Sequence, residues 1–216
     1  MAEPLPFAVL ISGRGSNMLA LAEAAADGRI AGRLVIVISD RADAAGLDAA
    51  RRLGIAAEVV APVAGQDRAA FGRALTNFIE ASGARLVVLA GFMRILDGEF
   101  VRHWQGRLLN IHPSLLPAWR GLHTHRRVLA AGDRWHGCTV HFVTVELDAG
   151  SAVIQGRLEV LPGDDEVSLS ARVQRFEHII YPRAVGWFAA GRLTCEDGMA
   201  SLDGQPLSQA IVEEAQ

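Results

Sequence analysis

Phe7-Ala8-Val9-Leu10-Ile11-Ser12, running straight into Gly13-Arg14-Gly15-Ser16-Asn17, is the stretch on which the fold turns. Its first part is a continuous apolar run of strand length with no polar face, as expected of a parallel strand covered on both sides. Leu34 to Ser39, Ala57 to Ala61 and Leu86 to Ala90 repeat that character. Between them, Asn17 to Asp27, Ala42 to Leu53 and Gln66 to Ser82 place apolar residues at three-to-four spacing among charges, the period of a half-buried helix. Strand, helix and strand in alternation predict an α/β fold, a doubly wound and mostly parallel sheet with right-handed crossovers.

Leu108 to Ile111 adds a further strand. Thr139 to Thr144 and Val153 to Leu161 then follow one another without a full helix between them, which predicts antiparallel additions in the C-terminal half. A long helix is expected from about Asp165 to Ala190, with Pro182 kinking or interrupting it. Arg192 to Leu207, with Gly198 and Gly204, reads as a small hairpin. Residues before Phe7 read as a short leader and residues 208–216 as a loose tail. With no internal repeat and no separating linker, the expectation is a single domain over 1–216.

The chain has 216 residues, half of them hydrophobic, enough for one sizeable core. A formal charge of −3 with dispersed arginines gives no sign of a nucleic-acid partner, although it leaves room for a local phosphate site. Cys138 and Cys195 lie far apart without metal or redox spacing, which suits reduced thiols in a cytosol. No long uncharged apolar stretch or secretory leader is present, so a soluble, cytoplasmic protein is expected, with no membrane partner.

Several residues carry chemistry. The glycines of Ser12-Gly13-Arg14-Gly15-Ser16-Asn17 permit a tight turn, and the helix after it opens with unpaired N–H groups suited to a phosphate; the alternative is a tight turn and nothing more. Met18 stands where the dinucleotide fingerprint needs a third glycine, which disfavours a nicotinamide cofactor even though Asp40 ends the second strand. Asn110 and His112, two apart on a strand, point to one face, and Asp148 closes a later apolar run. An amide and an imidazole form a donor pair for an oxyanion, with a carboxylate to orient the imidazole, unless the His-Pro step is only a turn. Ser114 and Ser151 lie outside any nucleophile elbow, and Cys138 lacks a motif. Arg94, just past a buried strand, either holds a carboxylate or is simply solvated. His123, His125, His136 and His141 have the residue types of a metal site but no zinc signature, and hydrogen bonding is the expected role; no metal is assigned.

These motifs, in this order, resemble the glycinamide ribonucleotide formyltransferase family. The carriers are Ile11 to Asn17, Leu89 to Leu96, Leu109 to Pro117, His136-Gly137 before Val140-His141, Asp148 with Gly150, and Gln174 with Glu177-His178. The resemblance runs from about Phe7 to Asp203. It implies a Rossmann-like formyltransferase fold and transfer of a formyl group from 10-formyltetrahydrofolate, bound as a co-substrate, to the amine of glycinamide ribonucleotide, a step of purine synthesis.

Residue by residue, the resemblance makes Asn110, His112 and Asp148 the catalytic trio. Gly15, Ser16 and Asn17 become the loop that holds the ribonucleotide phosphate, with Gln174 and Glu177 touching the same substrate. Arg68, Met93, Arg94, Ile95 and Leu96 fall on the folate side together with Asn110, while Thr144, Val145, Glu146 and Leu147 lead to Asp148 in a loop closing over the pterin. The implied division is a nucleotide-binding half, 1–110, and a folate-binding and catalytic half, 111–207, in a monomer or homodimer. The chain departs from the family pattern at Trp119-Arg120 and at Ala149-Gly150-Ser151, both in loops. Formyltetrahydrofolate hydrolase shares a similar trio but usually has a domain before the first strand, and methionyl-tRNA formyltransferase has one after the core; neither is expected here. A non-catalytic nucleotide-binding module would use only the glycine loop and leave the trio without a role.

Overall fold

A computed structural model describes residues 3–63, 65 and 67–214. Strands β1 (Leu5–Ile11), β2 (Gly32–Ser39), β3 (Ala56–Val59), β4 (Leu86–Leu89) and β5 (Leu108–His112) alternate with helices α1 (Ser16–Ala26), α2 (Ala45–Arg52), α3 (Arg68–Ala81) and α4 (Gly98–His103). After β5 come α5 (Thr124–Ala131), β6 (Trp135–Phe142), β7 (Ala152–Glu159), α6 (Glu166–Ala189), β8 (Leu193–Glu196), β9 (Met199–Leu202), β10 (Gln205–Pro206) and β11 (Ile211–Glu214).

The main sheet has the order β11-β7-β6-β5-β4-β1-β2-β3. β1 to β5 run parallel, β6 runs antiparallel between β5 and β7, and β11 pairs parallel with β7. The doubly wound sheet and its antiparallel addition are therefore both present. Strand order reverses between β1 and β4, the place where an open α/β sheet leaves a crevice at its carboxyl ends. The glycine loop and Gly91 to Leu96 leave the sheet on either side of that crevice.

Two apolar layers cover the sheet. On one face Met18 and Leu21 of α1, Leu47 of α2, Val128 of α5 and Leu169, Val173 and Ile180 of α6 pack on Val9, Ile11, Leu109 and Ile111. On the other, Phe71, Leu75 and Ile79 of α3 and Phe100 of α4, with Trp104, pack on Leu10, Val87 and Leu108. Leu108 thus belongs to one layer and Leu109 and Ile111 to the other, so alternation puts Asn110 and His112 on the α3 and α4 side. Met18, which occupies the place of the absent third glycine, is fully buried.

Three expectations are corrected. Residues 208–216 are not a loose tail: Ile211 to Glu214 pair in register with Ile154 to Arg157, while 215 and 216 lie outside the described residues. α6 continues uninterrupted through the buried Pro182, so packing along 24 residues outweighs one missing amide donor. The segment from Arg192 to Leu207 forms three short strands rather than one hairpin. The expected start of the third helix at Gln66 also lies outside the described residues; α3 begins at Arg68 with Asp67 capping Ala69 N. Among the described residues no helix is long and apolar enough to cross a membrane.

Tyr181 ties these layers together. Fully buried on α6, its hydroxyl is 2.9 Å from the Leu89 carbonyl at the end of β4 and 3.1 Å from that of Leu109 in the neighbouring β5. Burial pushes the phenol well above its ordinary range, so it stays a donor. Tyr181→Phe removes this donor from two buried carbonyls, and is expected to lower stability by about 1 to 2 kcal/mol in chemical denaturation.

Candidate active site

β5 and β6 place the central groups. Asn110 and His141 are directly opposed in the antiparallel register, and side chains so paired share a face. Asn110 Nδ2 lies 3.0 Å from His141 Nε2, and His141 Nδ1 lies 2.9 Å from the Phe142 carbonyl. A carbonyl only accepts, so Nδ1 carries the proton and Nε2 accepts from the Asn110 amide. Burial drives the His141 pKa down to about 4, which keeps this ring neutral in neutral solution. The tautomer therefore fixes which end of Asn110 is its nitrogen.

Asp148 arrives from the connection between β6 and β7, with φ near +50°. Its Oδ2 lies 3.5 Å from His112 Nδ1 and accepts from Gly121 N at 2.9 Å, while Oδ1 is 3.8 Å from His141 Nε2. Both His112 and Asp148 have side chains only 8% exposed, so their interaction is little screened. His112 Nε2 in turn donates to the Trp119 carbonyl at 3.0 Å, and Trp119 Nε1 donates to Asp133 at 2.7 Å. The imidazole is thus held at both nitrogens, by a carboxylate and by a main-chain carbonyl.

The glycine loop forms the second part. Gly15 has φ of 76°, and a Cβ there would lie 2.9 Å from the Gly46 Cα, so both conformation and space demand glycine. No side chain caps α1, which leaves its first amides open to an anion. Gln174 Nε2 donates to Ser16 Oγ at 3.0 Å and Asn17 Nδ2 donates to Glu177 Oε2 at 2.8 Å, bringing α6 onto the loop. Burial raises the Glu177 carboxyl, opposed by the bond from Asn17. All five residues assigned by resemblance to the ribonucleotide are therefore neighbours.

The third part is a cavity of about 590 Å³ at the switch point, lined by Arg68, Met93, Arg94 and Ile95 together with Ser12, Asp40, Arg41, Pro62 and Phe71. Leu96 and the trio lie outside its lining. Arg94 does hold a carboxylate, but the protein's own: its Nε is 2.9 Å from Asp40 Oδ2. Thr144 to Leu147 form an irregular segment in which Thr144 Oγ1 donates to the Glu146 carbonyl at 3.0 Å and Val145 and Leu147 are exposed. Arg120 NH1 pairs with Glu146 at 2.7 Å, so the unusual Trp119-Arg120 step reaches both His112 and this loop. In the other departure, Ser151 Oγ accepts from Ala200 N at 3.1 Å, linking the loop to β9.

His141, the Trp119 carbonyl, the Gly121 amide and Asp40 are participants that sequence reasoning did not assign to the site. His141 is among the residues that carry the family resemblance, but its place in the site follows from its register against Asn110, which no sequence period specifies. His125 and His136 pair with each other, Nδ1 to Nε2, at 2.9 Å. Among the described residues no group of three or more His, Cys, Asp or Glu side chains is arranged so that it could hold a metal ion. Cys138 is buried and its thiol is pushed well above the ordinary range by desolvation, which makes it a poor nucleophile.

A model of the formyl transferase family matches residues 5–185. The chain belongs to the formyl transferase family. It is 51% identical over 199 residues to phosphoribosylglycinamide formyltransferase of Escherichia coli K12, covering 92% of this chain and 94% of that one. The corresponding enzyme of Haemophilus influenzae is 39% identical, covering 94% and 96%. Among solved structures, phosphoribosylglycinamide formyltransferase from Coxiella burnetii superposes with a TM-score of 0.91 at 46% identity, covering 97% of this chain and all of that one. A formyltetrahydrofolate deformylase from Pseudomonas putida has the same fold at a TM-score of 0.83 and 26% identity, covering 92% of this chain and 70% of that one.

The histidines of this formyl transferase set its acid stability. Burial lowers His136 and His141 to about 4 and shifts His125 and His178 downward, against 6.5 for an ordinary imidazole. Between those values the unfolded chain binds more protons than the folded one, so stability falls as pH falls. Each fully neutral buried ring contributes a slope of about 1.4 kcal/mol per pH unit. Denaturation midpoints should therefore decline from pH 6.5 towards pH 4.5, and His136→Gln should flatten the decline; a level profile in the wild type contradicts the burial of neutral rings.

Proposed function

We propose that the chain transfers the formyl group of 10-formyltetrahydrofolate to the amine of glycinamide ribonucleotide, giving formylglycinamide ribonucleotide and tetrahydrofolate. The single observation that carries this reading is the meeting of Asn110, His112 and Asp148, the last two directly and Asn110 by way of His141, in a chain similar along nearly its whole length to phosphoribosylglycinamide formyltransferases.

The ribonucleotide phosphate sits on the open amides around Gly15, Ser16 and Asn17, with Gln174 and Glu177 on the same substrate. The folate occupies the other side of the crevice, along Arg68 and Met93 to Leu96, and Thr144 to Leu147 close over its ring. The glycine loop and α6 therefore serve the nucleotide, while the start of α3, the segment after β4 and the segments around β5 and β6 serve the folate and the chemistry. The substrate amine attacks the formyl carbon and charge gathers on the formyl oxygen. Asn110, with one amide hydrogen engaged by His141, donates the other to that oxygen, and the imidazolium of His112, its two N–H groups facing Asp148 and the Trp119 carbonyl, stabilises it by charge. The bond from carbon to the folate nitrogen then breaks as the proton lost by the amine passes to that nitrogen, relayed by water held at Asp148. Transfer is direct, within one ternary complex, and needs no protein nucleophile. Supporting this, Cys138 is buried with its thiol raised, and no Ser occupies an elbow. The working form is a soluble cytoplasmic monomer or homodimer.

Purified protein with 10-formyltetrahydrofolate should release tetrahydrofolate only when glycinamide ribonucleotide is added, and initial-rate plots should intersect. Release without the ribonucleotide would favour the hydrolase reading, and no release at all would favour a non-catalytic module. Asp148→Asn keeps shape and removes charge, and should lose about a hundredfold or more in kcat while binding both substrates with near-normal affinity. His112→Ala should lose as much, and the double variant no more than the poorer single one, because groups acting as a unit are not additive.

A further inference from the structure

The segment from Gly91 to Leu96 has no regular hydrogen-bonded structure and exposes Met93 and Ile95, so its shape is set by what grips it from outside. Two grips come from Ser12, whose amide donates to the Gly91 carbonyl at 3.2 Å and whose Oγ accepts from Met93 N at 2.8 Å. The third is the ion pair of Arg94 Nε with Asp40 Oδ2 at 2.9 Å, with the same guanidinium 5.9 Å from the Phe71 ring centre. The Asp40 side chain is 5% exposed while that of Arg94 is 47% exposed. The other oxygen, Oδ1, is buried and has no partner.

That arrangement is expensive. Desolvating a carboxylate and leaving one oxygen unpaired costs more than a single bond to a half-exposed arginine returns. Asp40 ends β2 and Arg94 follows β4, and these strands flank β1 on opposite sides, so the pair spans the mouth of the crevice. In dinucleotide-binding sheets an acidic residue near this strand end faces a ribose. Here the arginine engages it instead, and the cavity that both line is closed to that use.

We propose that Asp40 is a positioning residue for the folate subsite: by holding Arg94 it fixes the backbone of residues 93–96 against which the folate lies. The proposal rests on the reading of that segment as the folate side. Asp40 touches neither reacting group, so its removal acts on folate affinity and leaves the chemical step and the ribonucleotide largely alone.

The test is calorimetric titration with tetrahydrofolate, with steady-state kinetics in both substrates, on the wild type, Asp40→Ala, Asp40→Asn, Arg94→Ala and the Asp40→Ala/Arg94→Ala double variant. Asp40→Ala is expected to weaken tetrahydrofolate binding and raise the KM for the formyl donor about tenfold, with kcat and the ribonucleotide KM changed by less than about threefold. Asp40→Asn keeps an oxygen acceptor for Arg94 Nε and should recover most of the loss. The double variant should be no worse than Arg94→Ala, because both changes break one interaction. Unaltered tetrahydrofolate binding in Asp40→Ala would overturn the proposal alone. Equal losses for both substrates in both Asp40 variants, with a lowered Tm, would also overturn it by marking a general structural role. A wild type that does not bind tetrahydrofolate would overturn the folate reading and the proposal with it.

Discussion

The antiparallel pairing of β6 on β5 is the constraint on which the site depends. A parallel strand there would require a long crossover connection. Running backwards, β6 instead sets His141 opposite Asn110 and lets the short connection to β7 return Asp148 to within 3.5 Å of His112. One reversal in an otherwise parallel sheet thus joins a strand and a loop that lie far apart in sequence. The remaining strands provide rigidity: β4 and β1 open the crevice, and Tyr181 on α6 bonds to β4 and β5 beneath it.

Buried polar groups around the site are arranged so that each fixes its neighbour. His141, kept neutral by burial, accepts from Asn110 and so leaves the amide one free hydrogen on a known side. Asp148 faces His112 while its backbone sits in the left-handed region, a conformation that non-glycine residues adopt at a cost and that the Gly121 bond helps to hold. Glu177 performs a parallel task for the glycine loop, held by Asn17 across a contact between α1 and α6. Preorganisation of this kind is what stabilising a developing oxyanion requires, since donors that must reorient during the reaction return little.

Much of this was legible in the residues. Apolar runs such as Phe7 to Ser12 announced parallel strands because burial on both faces leaves no alternation, and the change of rhythm after Leu108 announced the antiparallel addition. The period of two places Asn110 and His112 on one face, and the glycines of the loop read as permitting a tight turn. Other features depend on tertiary pairing and leave no local period. β11 is only four residues long and finds its place through β7; α4 is short and signalled chiefly by the Asp97 cap; α5 opens with the polar run Thr124 to Arg127. His141, the Trp119 carbonyl and the Asp40 to Arg94 pair became visible only once register and chain return were known. The site residues drawn from family resemblance were brought together in three neighbouring groups, with Leu96 outside the cavity that Arg68 and Met93 to Ile95 line.

The central claim is geometric: both substrates meet where Asn110 and His112 can share one oxygen. A crystal structure of the protein with glycinamide ribonucleotide and a non-transferable formyl-folate analogue tests it most directly. The account predicts the phosphate on the amides of Gly15 to Asn17, the pterin between residues 93–96 and 144–148, and the formyl oxygen within hydrogen-bonding distance of Asn110 Nδ2 and beside the His112 ring. A formyl oxygen remote from both side chains, with the amine and formyl carbon still in contact, would contradict it.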